Sequence, residues 1–270
     1  MNSKENSKEN FMNWDNPGIA LVTGASSGIG AEFARQLAGQ GFDLILVARR
    51  KEKLDALSRE LQEKFSINAE IWVADLSKPA NNDEVVSKIS KLANLDVLIN
   101  NAGFGISDTF LQIDVKRHVD MINVHFTSPV MFCHAAIPGM LKRKRGVIIN
   151  TSSMSAFIRS SRSVMYPVTK AAITVFSEII QKSFRRTGIY IQSLCPGFTY
   201  SDFHDTKTMK GFQRSLYPEE SWMTAEEVVS LSLETVKTKN VIFIPGELNQ
   251  KNIKDIRKAT VKKYLKAKIL

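Results

Sequence analysis

Along this chain short apolar runs alternate with longer amphipathic stretches. Ile19–Thr23, Leu44–Ala48, Glu70–Ala74, Val97–Asn100, Val147–Thr151, Ile189–Leu194 and Val241–Ile244 have strand length, and most are apolar throughout, as strands of a sheet covered on both faces are. Between them, residues 28–40, 51–65, 82–93, 112–138, 164–187 and 224–237 repeat apolar positions at spacings of three and four, the helical period. Parallel neighbours cannot be joined by tight hairpins and need crossovers of helical length. The predicted fold is therefore α/β, a single doubly wound domain with about seven parallel strands and helices on both faces.

Three segments fall outside this alternation. Residues 1–16 are polar and nearly repeat Ser-Lys-Glu-Asn, without the apolar stretch of a secretion signal, so they read as a mobile leader to a domain spanning 17–250. Residues 198–223 follow a strand and carry Tyr200, Phe203, Met209, Phe212, Leu216, Tyr217 and Trp222. Ligands of open α/β sheets enter at the carboxyl ends of strands, which suggests a substrate lid there; a surface helix pair is the alternative. Residues 251–270 set Ile253, Ile256, Val261, Tyr264, Leu265 and Ile269 among lysines, the pattern of a basic helix that either packs on the body or a subunit neighbour or touches an anionic membrane surface.

Composition changes this picture little. With 43% hydrophobic and 24% charged residues the chain can build a full core. The net charge of +10 is concentrated in Lys142-Arg143-Lys144-Arg145 and in the tail. Such clusters are more often solvated faces than binding sites, and no nucleic-acid motif accompanies them. Cys133 and Cys195 are far apart and outside any C-x-x-C pair, which fits a reducing, cytoplasmic setting without disulfides. The histidines have no ligand spacing, so no metal is assigned.

The chemistry begins at Thr23-Gly24-Ala25-Ser26-Ser27-Gly28-Ile29-Gly30, where a strand becomes a helix. Glycines there permit positive φ and close backbone approach, and the helix N-terminus can receive a pyrophosphate. The spacing differs from G-x-G-x-x-G and no Gly-Lys-Ser/Thr follows, which argues against a nucleoside-triphosphate loop. The second strand ends Ala48-Arg49-Arg50. An acid near that point would suit the ribose 2′-hydroxyl of NAD(H); Arg49 instead suits a 2′-phosphate, and NADP(H) is expected, unless Arg49 and Arg50 merely open the next charged helix.

Tyr166 and Lys170 stand one helical turn apart on a predicted helix, facing the same side. A phenol ionises near pH ~10 and becomes a useful acid or base only if a cation stabilises its phenolate, which Lys170 could do. Ser153, after the strand at 147–151, could hold a carbonyl oxygen beside it. Each residue alone has an ordinary explanation; their joint order points to proton transfer at a carbonyl.

These motifs resemble the short-chain dehydrogenase/reductase family, of the NADP-preferring kind with a Rossmann-type fold, over roughly residues 17–250. They comprise the glycine turn of residues 23–30, Asn100-Asn101-Ala102-Gly103, the Ser153, Tyr166 and Lys170 set, and Pro196-Gly197. The resemblance implies that Gly24, Ser26, Ser27, Gly28, Ile29 and Gly30 hold the cofactor. It implies that Asp75, followed by Leu76, meets the adenine, and that Asn101, Ala102 and Gly103 line the adenosine. Asn123 would bend its helix and hold a water in a proton relay, Lys170 would grip the nicotinamide ribose, and Pro196 and Gly197 would border the nicotinamide. Ser201 stands where the family has a threonine, and Met154-Ser155-Ala156-Phe157 where a glycine is common. A homodimer or homotetramer is implied as well.

For the substrate, the aromatic insert together with Phe104 and Phe157 favours an apolar carbonyl or alcohol over a sugar. The ending Phe243-Ile244-Pro245-Gly246-Glu247-Leu248-Asn249 is similar to the branch with long-chain oxoacyl reductases, so a hydrophobic ketone or 3-oxoacyl compound is expected. The rival reading is a sensor or scaffold that binds NADP(H) without turnover.

Overall fold

Alternate residues of each strand face opposite helical layers, and this sets the architecture. A computed structural model describes residues 15–158, 163–238 and 240–266; all but the last two residues of the expected leader, and the last four of the tail, lie outside them. The chain runs β1 (Ile19–Thr23), α1 (Gly28–Gly39), β2 (Asp43–Ala48), α2 (Lys51–Phe65), β3 (Ala69–Val73), α3 (Pro79–Ile89) and β4 (Leu95–Asn100). It continues α4 (Val115–Ile122), α5 (Ser128–Arg143), β5 (Gly146–Thr151), α6 (Met165–Ser183), β6 (Ile189–Leu194), β7 (Phe198–Thr199), β8 (Trp222–Met223), α7 (Ala225–Thr235), β9 (Ile242–Phe243) and α8 (Glu247–Lys266).

Seven strands form one sheet in the order β3-β2-β1-β4-β5-β6-β9, with every pairing parallel. Val22, Ile99 and Ile149 face Phe33 and Leu37 of α1, Leu54 and Leu61 of α2, and Val228 of α7. Their neighbours Leu21, Leu98 and Ile148 face Val85 of α3 and Phe132 and Met140 of α5. The period of two thus splits the apolar residues into two cores, one on each side of the sheet. The strand order reverses between β1 and β4, and a crevice opens there at the carboxyl ends.

Helix boundaries depart from the periodicity in instructive places. α3 starts at Pro79, because proline's fixed φ and missing N–H suit the first helical position. The stretch predicted as one helix over 112–138 is three pieces: α4, a π-helical turn at Asn123–Thr127, and α5. Pro129 has no N–H to give to the carbonyl four residues back, and the Ser128 N–H instead bonds the Asn123 carbonyl. The Ser128 hydroxyl donates to the same oxygen at 2.7 Å.

At the amino end of the sheet the basic run of residues 142–145 is not simply a solvated face. Asp96 is fully buried, accepts the Gly18 N–H at 2.9 Å, bonds the Arg145 guanidinium, and lies 3.5 Å from Arg143 Nε. The C-terminal helix begins earlier than the tail expected from residue 251, at Glu247, and Asn249 and Ile253 bury against the body. No helix among the described residues is long and apolar enough to cross a membrane.

Candidate active site

The glycine turn lies at the β1/β4 switch point, and its shape is set by what a side chain would strike. Gly24 has φ +68°, and a Cβ there would come within 2.9 Å of Ala102 Cα. A Cβ on Gly30 would fall 2.5 Å from Asn101 Nδ2. The segment Asn101-Ala102 can press so close because Thr23 ties it down: the Thr23 hydroxyl accepts the N–H groups of Asn101 and Ala102 at 2.9 and 3.1 Å. Residues far apart in sequence thus form one wall of the crevice. Ile29 packs from this turn against the core beneath α1. On the far rim the Asp75 carboxylate accepts the Ser77 N–H at 3.1 Å, while Leu76 is buried beside it.

Arg49 is exposed immediately after β2. It is Arg50, which the sequence offered only as a helix start, whose guanidinium reaches the turn. Its Nη2 donates to the Ser26 and Ser27 hydroxyls at 2.8 and 2.7 Å. The glycine turn at the N-terminus of α1 and the adjacent cations fit the phosphates of a dinucleotide.

Ser153, Tyr166 and Lys170 converge at the carboxyl ends of β5 and β6. Ser153 follows β5 and caps a 3-10 turn at Met154–Phe157, and that turn is held to β6's end by the Met154 N–H on the Pro196 carbonyl, 2.9 Å. Pro167 is tolerated because α6 begins at Met165. Lys170 is 4% exposed; its Nζ donates to the Thr151 carbonyl at 2.8 Å and lies 5.7 Å from the Tyr166 ring centre.

The electrostatics differ from the sequence expectation that the ammonium acidifies the phenol. Although part of the Tyr166 side chain reaches solvent, burial pushes the phenol up to about 12, and hydrogen bonding with Ser153 offsets only part of that rise. Burial also pulls Lys170 down to about 8. In the free protein the lysine is therefore the more acidic member of the pair, and it still carries its proton at pH 7.

Asn123 does mark a helix irregularity, but its side chain is committed structurally: Nδ2 donates to the Ser77 carbonyl at 3.1 Å. The residue that sequence reasoning missed is His125, on the same π-turn. It is buried; its Nε2 accepts the Phe104 N–H at 3.0 Å and its Nδ1 meets the Thr169 hydroxyl at 3.0 Å. Since Nε2 accepts, Nδ1 carries the proton, and Thr169 passes the contact to the Tyr166 carbonyl at 3.0 Å. Burial and Lys170 hold this imidazole neutral, well below its usual range. Asn249 is a second omission: it packs so tightly on Gly197 that a Cβ there would sit 2.7 Å from its Oδ1. In the sequence only Pro245-Gly246 marks a turn there, and Gly246 does take a positive φ, +83°.

The insert at 198–223 forms 3-10 turns and the short β7/β8 pair rather than two α-helices. Most of its aromatic rings stack on one another, as Phe198 does on Trp222 and Tyr217, with centroids 5.1 and 4.3 Å apart. Phe203 and Met209 face the crevice: Phe203 lies 5.9 Å from the Tyr166 ring, and a Cβ on Gly105 would meet Met209 Sδ at 2.6 Å. Phe104, expected at the mouth, packs on the His125 ring at 5.5 Å. These two residues bring the insert against the site.

Known proteins agree with this geometry. The sequence profile described as short chain dehydrogenase matches residues 18–210. The chain is 35% identical over 179 residues to hydroxysteroid dehydrogenase-like protein 1 of Gallus gallus, a match that takes in 66% of this chain and about half, 54%, of that protein. It is 28% identical over 264 residues to the very-long-chain 3-oxoacyl-CoA reductase of Homo sapiens, covering 93% and 84% of the two. Among solved structures, a short-chain dehydrogenase from Sphingobium yanoikuyae in complex with NADPH superposes with a TM-score of 0.80 at 29% identity, covering 92% of this chain and 95% of the other.

Proposed function

The chain belongs to the short-chain dehydrogenase family of oxidoreductases, and from that premise we propose that it is an NADP(H)-dependent enzyme interconverting a carbonyl and a secondary alcohol, reducing a hydrophobic ketone or 3-oxoacyl substrate. The observation that carries this reading is the meeting of Ser153, Tyr166 and Lys170 beside the glycine turn. When bound, a reduced nicotinamide would supply the hydride for the carbonyl carbon. Tyr166 would give its proton to the carbonyl oxygen, and take it back in oxidation. The Ser153 hydroxyl would hold that oxygen, and Lys170, whose Nζ is oriented by the Thr151 carbonyl, would hold the cofactor's ribose. Phe203, Met209 and the covering insert exclude water and favour an apolar chain.

The NADP(H) preference is supported by Arg49 and Arg50, which follow Ala48 at the end of β2 where an acid would suit the 2′-hydroxyl of NAD(H). Cys133 and Cys195 are both buried and free, in keeping with a reducing cytoplasm. Exposed Val115 and Val119 on α4 and Val168, Val175 and Ile179 on α6 are apolar surface of the kind that a homodimer or homotetramer would cover.

The test is NADPH oxidation over a library running from long-chain 3-oxoacyl thioesters and bulky ketones to small polar carbonyls, with Tyr166→Phe in parallel. We expect turnover on the apolar members and a loss of at least about a thousandfold in the variant. Unchanged turnover in Tyr166→Phe would overturn the proton-transfer role. Tight NADPH binding without turnover of any carbonyl would move the protein to the sensor reading.

A further inference from the structure

One carboxylate at the start of the insert meets two cations beside the dinucleotide turn. Ser201 and Asp202 open the insert, and Ser201 lies across the glycine turn: a Cβ on Gly28, whose φ is +55°, would come within 2.8 Å of Ser201 Cβ. Beside it Asp202 Oδ2 sits 3.4 Å from Arg50 Nη1 and 2.9 Å from Lys53 Nζ. The same Arg50 guanidinium grips Ser26 and Ser27. One oxygen of Asp202 therefore takes up the two cations that stand at the ribose end of the crevice. Its neighbour Asp205, on the same 3-10 turn, pairs with Arg214 at 3.0 Å rather than with Arg50 or Lys53.

We propose that Asp202 is a specificity-determining residue that occupies, in the free protein, the place of the cofactor's 2′-phosphate between Arg50 and Lys53, so that the phosphate must displace it and in doing so frees the start of the lid. The inference rests on the NADP(H) reading above and adds to it a coupling between cofactor and lid. A phosphate dianion offers more charge and more acceptor oxygens to the two cations than one carboxylate does. The Asp202 pairs are half exposed and hence weak enough to exchange. A nucleotide without the 2′-phosphate cannot make this exchange, and it leaves Asp202, and Ser201 with it, where they are. Discrimination then comes from two sources: attraction of the phosphate by Arg50 and Lys53, and release of the lid.

The test is equilibrium titration of the full-length protein with NADPH and with NADH, followed by nicotinamide fluorescence, for the wild type, Asp202→Asn, Asp202→Ser and the control Asp205→Asn. We expect the wild type to bind NADPH more tightly than NADH. Both Asp202 variants should lower the NADPH Kd about three- to tenfold, since the competing anion is gone, and change the NADH Kd less than about twofold. Asp205→Asn should move neither. If the wild type favours NADPH but the Asp202 variants leave its Kd unchanged or raised, or tighten NADH equally, the displacement is overturned while the cofactor reading stands. If the wild type binds the two nucleotides equally, the 2′-phosphate reading fails and this inference falls with it.

Discussion

The two ends of the parallel sheet treat buried charge in opposite ways. At the amino end Asp96 is wholly buried yet surrounded by the Gly18 N–H and the guanidinium groups of Arg143 and Arg145. At the carboxyl end Lys170 is almost as buried, but among the described residues no carboxylate pairs with it, and its partner is the neutral Thr151 carbonyl. Burying an ion costs several kcal/mol unless partners compensate. One end of the sheet compensates and holds strands and helices together. The other leaves the cost in place, so the lysine and the phenol are both displaced from their ordinary ionisation, which makes them sensitive to whatever binds.

Substitution at the carboxyl end should separate activity from stability. Lys170→Met removes an uncompensated charge and keeps the apolar stem, so turnover should fall at least about a hundredfold, while the urea midpoint at pH 7 stays equal to or above that of the wild type. A midpoint well below the wild type would mean that the Thr151 bond outweighs the burial of charge. The amino end should behave in the reverse way. Asp96→Ala strands two guanidinium groups and a backbone N–H, and should cost about 2–4 kcal/mol in urea unfolding, with little change in kcat for the protein that remains folded.

pH provides a gentler test of the same contrast. Lys170 ionises near 8 in the fold against the usual 10.5, so between these values the unfolded chain holds a proton that the native one has released, and stability rises with pH. The full penalty is present below about pH 8 and disappears towards pH 10.5. Tyr166 runs the opposite way: held near 12 against 10, it keeps its proton in the fold alone above pH 10, and stability falls. The wild type measured against Lys170→Met should therefore gain up to about 2–3 kcal/mol of relative stability from pH 8 to 10.5. A flat difference would place the ammonium in contact with water. The smallest effect belongs to the exposed Arg35–Glu60 pair, 2.7 Å apart. Glu60→Gln should cost about 0.5 kcal/mol or less, diminishing further in salt.

Much of this protein was legible before any coordinates. The strands at 19–23 and 189–194 agree with their predicted bounds, because a strand covered on both faces is apolar throughout and punctuated sharply. Helix ends were less legible: α3 begins at Pro79 rather than 82, since apolar spacing registers the buried face and not the polar first turn. The π-turn at Asn123 is invisible to the apolar period, since one hydrogen bond longer by a residue barely shifts the stripe; only the family resemblance implied a bend there. The aromatic insert was expected as a lid or a surface helix pair; its rings pack largely on one another, and which of them faces a site cannot be read from a list of rings.

The succession of strands and helices along the chain, the glycines and the spacing of Ser153, Tyr166 and Lys170 were determined by local sequence, because periodicity and steric need act over a few residues. What tertiary structure decided is which groups meet. It brought Arg50 to the glycine turn, placed His125 behind Tyr166, laid Asp202 between two cations, and withheld a counter-ion from Lys170. Desolvation and charge depend on the atoms that surround a group in space, and in these contacts they come from residues between 19 and 152 positions apart.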